Sequence, residues 1–302
     1  MKVRTALPCL LALVLASVAG PAVAAAGHAR HHIVWRGDIT TSRAFVKDMA
    51  RSWDRAGHGY MTLQPFNTIS ALNKLSQGSV DLAGSARGPS PRHAEEQSLN
   101  FTPVAWDALV IITSDRNPVR GLTLKQLHDI YFGKIRNWSA LGGRNAPIHV
   151  YADASPSDGV EFSLRKLLYG RGNQPVAAPR LYINVRSLEQ GIALDPDGLA
   201  VTTLSGAYDN RKLKMLAIDG VRPSRAHVAD GSYPLYTPLY LVTRKDEDNA
   251  TVQSFIAFTR SRTGKQILDR HQLVPYAEDA PPARDASARG QRIARAVGRA
   301  PR

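Results

Sequence analysis

Residues 122–162 read LTLKQLHDIYFGKIRNWSALGGRNAPIHVYADASPSDGVEF. Leu122 to Tyr131 reads as a helix. A strand follows at Ile148 to Tyr151, then a loop from Ala152 to Gly159, then a helix from Val160 to Leu168. A loop that joins a strand's C-terminal end to a helix N-terminus is where an α/β sheet holds its ligands. Free backbone N–H groups and the helix dipole favour an anion there. The first part of this stretch builds structure, and its last ten or so residues decide what the chain can hold.

The same alternation extends in both directions. His31 to Trp35 starts a strand, and the turn Gly37 to Ser42 (GDITTS) opens a helix from Ser42 to Arg55. Phe45, Met49 and Trp53 fall at helical spacing on it. A strand at Tyr60 to Pro65, a short helix at Thr68 to Leu75 and a strand at Val80 to Gly84 follow, then the turn Ser85 to Gly88. An apolar run lies within Asn100 to Thr113. Beyond the central stretch, Ser187 to Ile192 reads as helix, and Gly198 to Thr203 and Leu213 to Ile218 as strands. Tyr233 to Val242 is extended, and Thr251 to Thr259 and Gly264 to Asp269 are helical. Alternating strands and helices predict an α/β fold with a mainly parallel sheet. Four loops then share the ligand side: Asp38 to Ser42, Phe66 to Ser70, Ser85 to Gly88, and Ala152 to Gly159. Three of them place Ser or Thr where a helix starts, and the local task of such a residue is an N-cap.

The chain has 302 residues, 43% of them hydrophobic, enough for one large domain or two lobes. Lys2 and Arg4, the apolar run Leu7 to Val18 and the small residues Ala22 to Ala26 predict a cleaved secretory signal peptide over residues 1–26. Cys9, the chain's one cysteine, falls inside it, so the exported chain has no disulfide and no thiolate chemistry. A periplasmic location is expected. Lys and Arg number 39 against 25 Asp and Glu, a formal net charge of +14, which draws anions or an anionic surface. The basic pattern lacks interleaved aromatic residues, so nucleic acid is not the expected partner. Residues 279–302 are rich in Pro, Ala and Arg and are expected to be a disordered basic tail. His28, His31 and His32 stand at a frayed end without a carboxylate or cysteine beside them, so no metal site is expected there. No cofactor is expected. No Gly-x-Ser-x-Gly elbow or His-Glu-x-x-His helix occurs, and the chain is not expected to be an enzyme.

Several segments resemble the phosphate-type solute-binding proteins of ABC importers. Gly133-Lys134-Ile135-Arg136-Asn137-Trp138, followed by Leu141-Gly142-Gly143, is similar to a run of that family. So are Gly78 to Ala83 with Ser85-Ala86-Arg87, Ile218-Asp219-Gly220-Val221 with Pro223, and Gly231 to Leu235 continued by Pro238-Leu239-Tyr240. The likeness spans about Ile33 to Pro275. It implies a two-lobed, type II-like periplasmic binding protein, each lobe a mainly parallel sheet flanked by helices. Residues 27–115 and 236–278 would form one lobe and residues 116–235 the other, closing on ligand by hinge motion. It also implies a monomer that takes phosphate or a related small oxyanion and delivers it to an ABC permease. By position, Thr40, Thr41, Thr68 and Arg87 would hold the ligand from the first lobe, and Ser155 and Ser157 from the second.

The second-lobe loop departs from the family pattern. Where the family has an Arg and then a Gly-Ser-Gly-Thr turn, this chain has Ala152 and Ser155-Pro156-Ser157-Asp158. The Arg is missing, Pro156 has no N–H to donate, and Asp158 brings a negative charge that would itself cap the following helix. Like charges about 4 Å apart cost on the order of 4 kcal/mol at an intermediate effective dielectric. Phosphate binding should therefore be weakened by orders of magnitude unless Arg165 or another base compensates. The second reading is a non-transport envelope protein for sensing, adhesion or interaction on the same scaffold.

Overall fold

A computed structural model describes residues 31–298 apart from 156, 178, 281 and 283–285. The expected signal peptide and Pro156 lie outside the described residues. Strand β1 (His32–Asp38) runs into α1 (Ile39–Thr41), a π-helical segment (Ser42–Val46) and α2 (Lys47–Arg55), which continue one another. Then come β2 (Tyr60–Phe66), α3 (Thr68–Ser76), β3 (Leu82–Ser85) and the long strand β4 (Leu99–Ser114). The middle of the chain supplies β5 (Gly121–Leu122), α4 (Leu124–Tyr131), β6 (His149–Asp153), α5 (Gly159–Tyr169), β7 (Arg180–Tyr182) and α6 (Val185–Leu194). It continues with β8 (Gly198–Thr203), α7 (Leu204–Ala207), β9 (Leu213–Met215), β10 (Ala217–Ile218) and α8 (Arg225–Ala229). Strand β11 (Tyr236–Arg244) leads to α9 (Ala250–Thr259), α10 (Arg262–Arg270), β12 (Val274–Pro275) and α11 (Ala286–Ala296).

The main sheet runs β2-β1-β3-β11-β4-β8-β6-β7. Its two ends are parallel, as the alternating pattern predicts: β1 with β2 and β3, and β6 with β7 and β8. The centre is not. There β4 and β11 are antiparallel to each other, and β4 changes partner along its length, pairing with β11 up to Ala108 and with β8 from Leu109. One strand thus joins the two parallel ends.

The amphipathic stripe of α2 behaves as its spacing requires. Phe45, Met49 and Trp53 are buried, and Trp53 meets Phe255 of α9 edge to face at 5.5 Å. Each such side chain contributes about 1.5–3 kcal/mol by leaving water. Trp35 of β1 fills the space above Gly37 and Gly84: a Cβ on Gly84 would lie 2.5 Å from its ring and 2.7 Å from Thr41 Oγ1. The segment around Trp138 is structural. Its indole is buried and donates to the Asp197 carbonyl at 3.0 Å, while Gly142, at φ +75°, closes the short helix Trp138–Leu141. Asp219 accepts the N–H of Leu124 at 3.0 Å and so fixes the start of α4.

The C-terminal segment differs from the expected disordered tail. Helix α11 packs against α4 and α5. Ile293 and Val297 recur at i and i+4, and both are buried together with Ala294. This short stripe is enough to seat one helix although the composition around it is that of a disordered segment. Among the described residues no helix is long and apolar enough to cross a membrane.

Candidate functional site

The C-terminal ends of β1, β2, β3 and β6 converge with the starts of α1, α3 and α5. The two parallel ends of the sheet run in opposite directions, because three antiparallel pairings separate β3 from β8, and their C-terminal loops face each other across the middle. Two carboxylates lie at the centre. Asp38, the last residue of β1, accepts the N–H of Thr41 at 2.7 Å on Oδ1 and the N–H of Ala86 at 2.8 Å on Oδ2. The hydroxyl of Thr68 also donates to Asp38 Oδ2 at 3.2 Å. Asp158, just before α5, accepts the N–H of Thr68 at 2.8 Å. Thr68 is the first residue of α3, so that N–H is one a helix leaves unsatisfied.

Asp158 corrects one expectation. It stands at the N-cap position of α5, yet its carboxylate makes no capping bond there. It crosses to α3 instead and bonds the N–H of Thr68.

Further bonds join the same two sides. Ser163 Oγ on α5 donates to the Ala86 carbonyl at 2.9 Å, and Arg87 Nε donates to the Ser157 carbonyl at 2.8 Å. The rest of the Arg87 guanidinium faces away from the cleft, since Nη1 and Nη2 bind Glu96 at 3.0 and 2.6 Å and Nη1 also donates to the Gly88 carbonyl. This pair is fully buried, with Arg87 at 0% and Glu96 at 3% exposure. Arg165 does not compensate for the missing Arg: it pairs with Glu161 at 2.8 Å.

A small cavity of about 40 Å³ opens beside these groups, with Asp38, Thr40, Asp153, Asp158, Glu161 and Asn184 among its walls. Burial pushes Asp38 up to about 6, against the pull of the Thr41 N–H and with help from the charge of Asp158. Burial also raises Asp158 and brings Asp153 to about 6 and Glu161 to about 7, the last despite its Arg165 partner. The site therefore stabilises protonated carboxyls and resists a second negative charge.

Of the six residues expected to bind ligand, Thr40 lines this cavity. Thr41 and Thr68 are not among its walls: their N–H groups bond to the carboxylates of Asp38 and Asp158, and their hydroxyls bond to Asp38. Arg87 is locked to Glu96. Ser155 donates its N–H to Asp153 at 2.8 Å, and Ser157 offers its carbonyl to Arg87. Asp38, Asp153 and Glu161 were not foreseen as site residues. Asp38 is the N-cap of α1, and an Asp four residues before a Ser in a strand-to-helix turn was a readable signal for it. Glu96 gave none, because it meets Arg87 only through the fold.

Residues 22–263 match the model of the PBP superfamily domain, so the chain belongs to that superfamily. It is 28% identical over 225 residues to the protein SphX of Synechococcus elongatus, an alignment covering 68% of this chain and 66% of SphX. It is 25% identical over 246 residues to the phosphate-binding protein PstS of Borreliella burgdorferi, covering 78% and 88%. Among solved structures, a putative phosphate ABC transporter substrate-binding protein from Clostridium perfringens, with bound phosphate, superposes with a TM-score of 0.75. That likeness, at 21% identity, covers 82% of this chain and 100% of the other, and it speaks for the fold.

Proposed function

We propose that the protein is an extracytoplasmic solute-binding protein of a phosphate-type ABC importer, a binding protein and not an enzyme. It takes phosphate or a related oxyanion between two lobes, acts as a monomer in the periplasm and hands its ligand to a membrane permease. Residues 27–115 and 236–278 form one lobe and residues 116–235 the other, with the crossings near Thr113 to Asn117 and near Ser232 to Thr237 as the connections that bend. The observation that carries this reading is the convergence of the Thr41, Thr68 and Ala86 N–H groups on carboxylate oxygens. Groups so placed can hold oxyanion oxygens equally well.

The two carboxylates set the ligand's charge. A dianion meets Asp38 and Asp158 at close range, so the cleft takes the singly charged, protonated form and takes it better in acid. Calorimetry with phosphate at pH 5.5 and pH 8 tests this. Binding at pH 5.5 that weakens at least tenfold by pH 8 is expected, and tight binding unaffected by pH contradicts it.

A second reading, an envelope protein that no longer transports, is favoured by one observation. Arg87 is bound entirely within the protein, and Ala152 stands where the family pattern has its other Arg. No binding of phosphate, sulfate or molybdate at either pH supports that reading over the first.

A further inference from the structure

The guanidinium of Arg289 on α11 is buried, with the residue 7% exposed, and has no counter-charge among the described residues. Its Nη1 donates to the Tyr236 carbonyl at 2.8 Å, and it lies over the Tyr236 ring, 3.6 Å from the centroid. Its Nε finds no acceptor, and no ion pair to Arg289 forms among the described residues. Burial lowers its pKa. Buried charges are ordinarily paired, so a lone one calls for a missing anion.

Beside it lies a cavity of about 460 Å³ between α5, β11 and α11, within the size range of small-molecule sites. The exposed Lys166 is among its lining residues, Phe162 and Tyr240 give it aromatic walls, and no Asp or Glu is among its described lining residues. It shares no lining residue with the acidic cavity at the cleft.

We propose that this cavity binds a small organic carboxylate, its flat apolar body against Phe162 and Tyr240 and its carboxylate on Arg289 and Lys166. A guanidinium matches a carboxylate's two oxygens, and aromatic walls suit a carbon skeleton; an inorganic oxyanion would leave those walls uncovered. The site is independent of whatever the cleft holds.

Calorimetry of the purified protein, C-terminal helix included, tests the proposal with 3-phenylpropionate, its neutral amide and inorganic phosphate. Saturable binding of the carboxylate is expected, with the amide at least about tenfold weaker through loss of a charge-assisted bond. R289M should weaken the carboxylate by about 10- to 100-fold, and D158N, a change in the cleft, should leave it unaltered. Lys166 is exposed, so K166M should fold normally, and a several-fold loss is expected from it even if R289M unfolds. The proposal is overturned by no carboxylate binding at millimolar concentration, by equal binding of the amide or of phosphate, or by K166M and a folded R289M binding like the parent.

Discussion

The carboxylate of Asp158 and the backbone N–H of Thr68 meet at 2.8 Å although the residues are 90 positions apart. A side chain from the start of α5 thus occupies the first free N–H of α3, a place suited to a bound anion. On the proposed reading, the protein carries its own substitute for a ligand oxygen.

That bond has a direct readout in the ligand-free protein. The Thr68 amide should exchange slowly with deuterium, and D158A should speed its exchange by about tenfold or more, the loss of one buried charge-assisted bond. Rapid exchange of Thr68 in the parent protein would show that the contact does not persist in solution.

The Arg87–Glu96 pair should be essential for stability while contributing little as a pair. E96A leaves a buried guanidinium without its partner and should cost about 3–5 kcal/mol. Replacing both residues by apolar ones of similar volume should cost much less. Urea denaturation of the two variants compares them, and equal losses would refute the desolvation account.

Stability should rise as the pH falls from 8 to 5. Asp38 and Asp153 are pushed up to about 6, and Glu161 and Asp107, a buried residue of β4 that accepts from Ser205, to about 7, each chiefly by burial. Between the ordinary carboxylate range and these values the folded protein binds more protons than the unfolded chain, so protonation favours folding. The gain is present below about pH 4 and is lost as the pH rises through 6 to 7. A Tm at pH 5 a few degrees above that at pH 8 is expected, with D107N and E161Q flattening the difference. A Tm that falls steadily over this range would contradict it.

Helix α11 should add to global stability. I293A removes a fully buried side chain and should cost about 2–5 kcal/mol. A loss below about 0.5 kcal/mol would mean the helix does not stay docked.

Much of this could be read from the chain, and most of the exceptions share a cause. The spacing of Phe45, Met49 and Trp53 announced a helix face, and the Gly133–Gly143 run marked a structural segment whose Trp138 is buried. Asp158 was visible as an intruding charge because it stands in a short loop between a strand and a helix. Its partner Thr68 and the gathering of Asp38 with Asp153 depend on contacts between distant segments, and the Glu96 clamp on Arg87 on how the chain between these two residues, nine positions apart, folds back, none of which a local pattern encodes. The seat of α11 was hidden for a different reason: Ile293 and Val297 are two apolar residues in an Arg- and Ala-rich stretch, and what makes them sufficient is the surface of α4 and α5.

The account turns on Asp158 as the group that sets what the cleft accepts. Calorimetric titration of phosphate into the parent protein and D158T at pH 8 tests it most directly. The account predicts weak or undetectable binding by the parent and a gain of at least about 100-fold in D158T, where one like charge is removed and a hydroxyl donor restored. Sub-micromolar binding by the parent at pH 8, or a folded D158T no better than the parent, would contradict it.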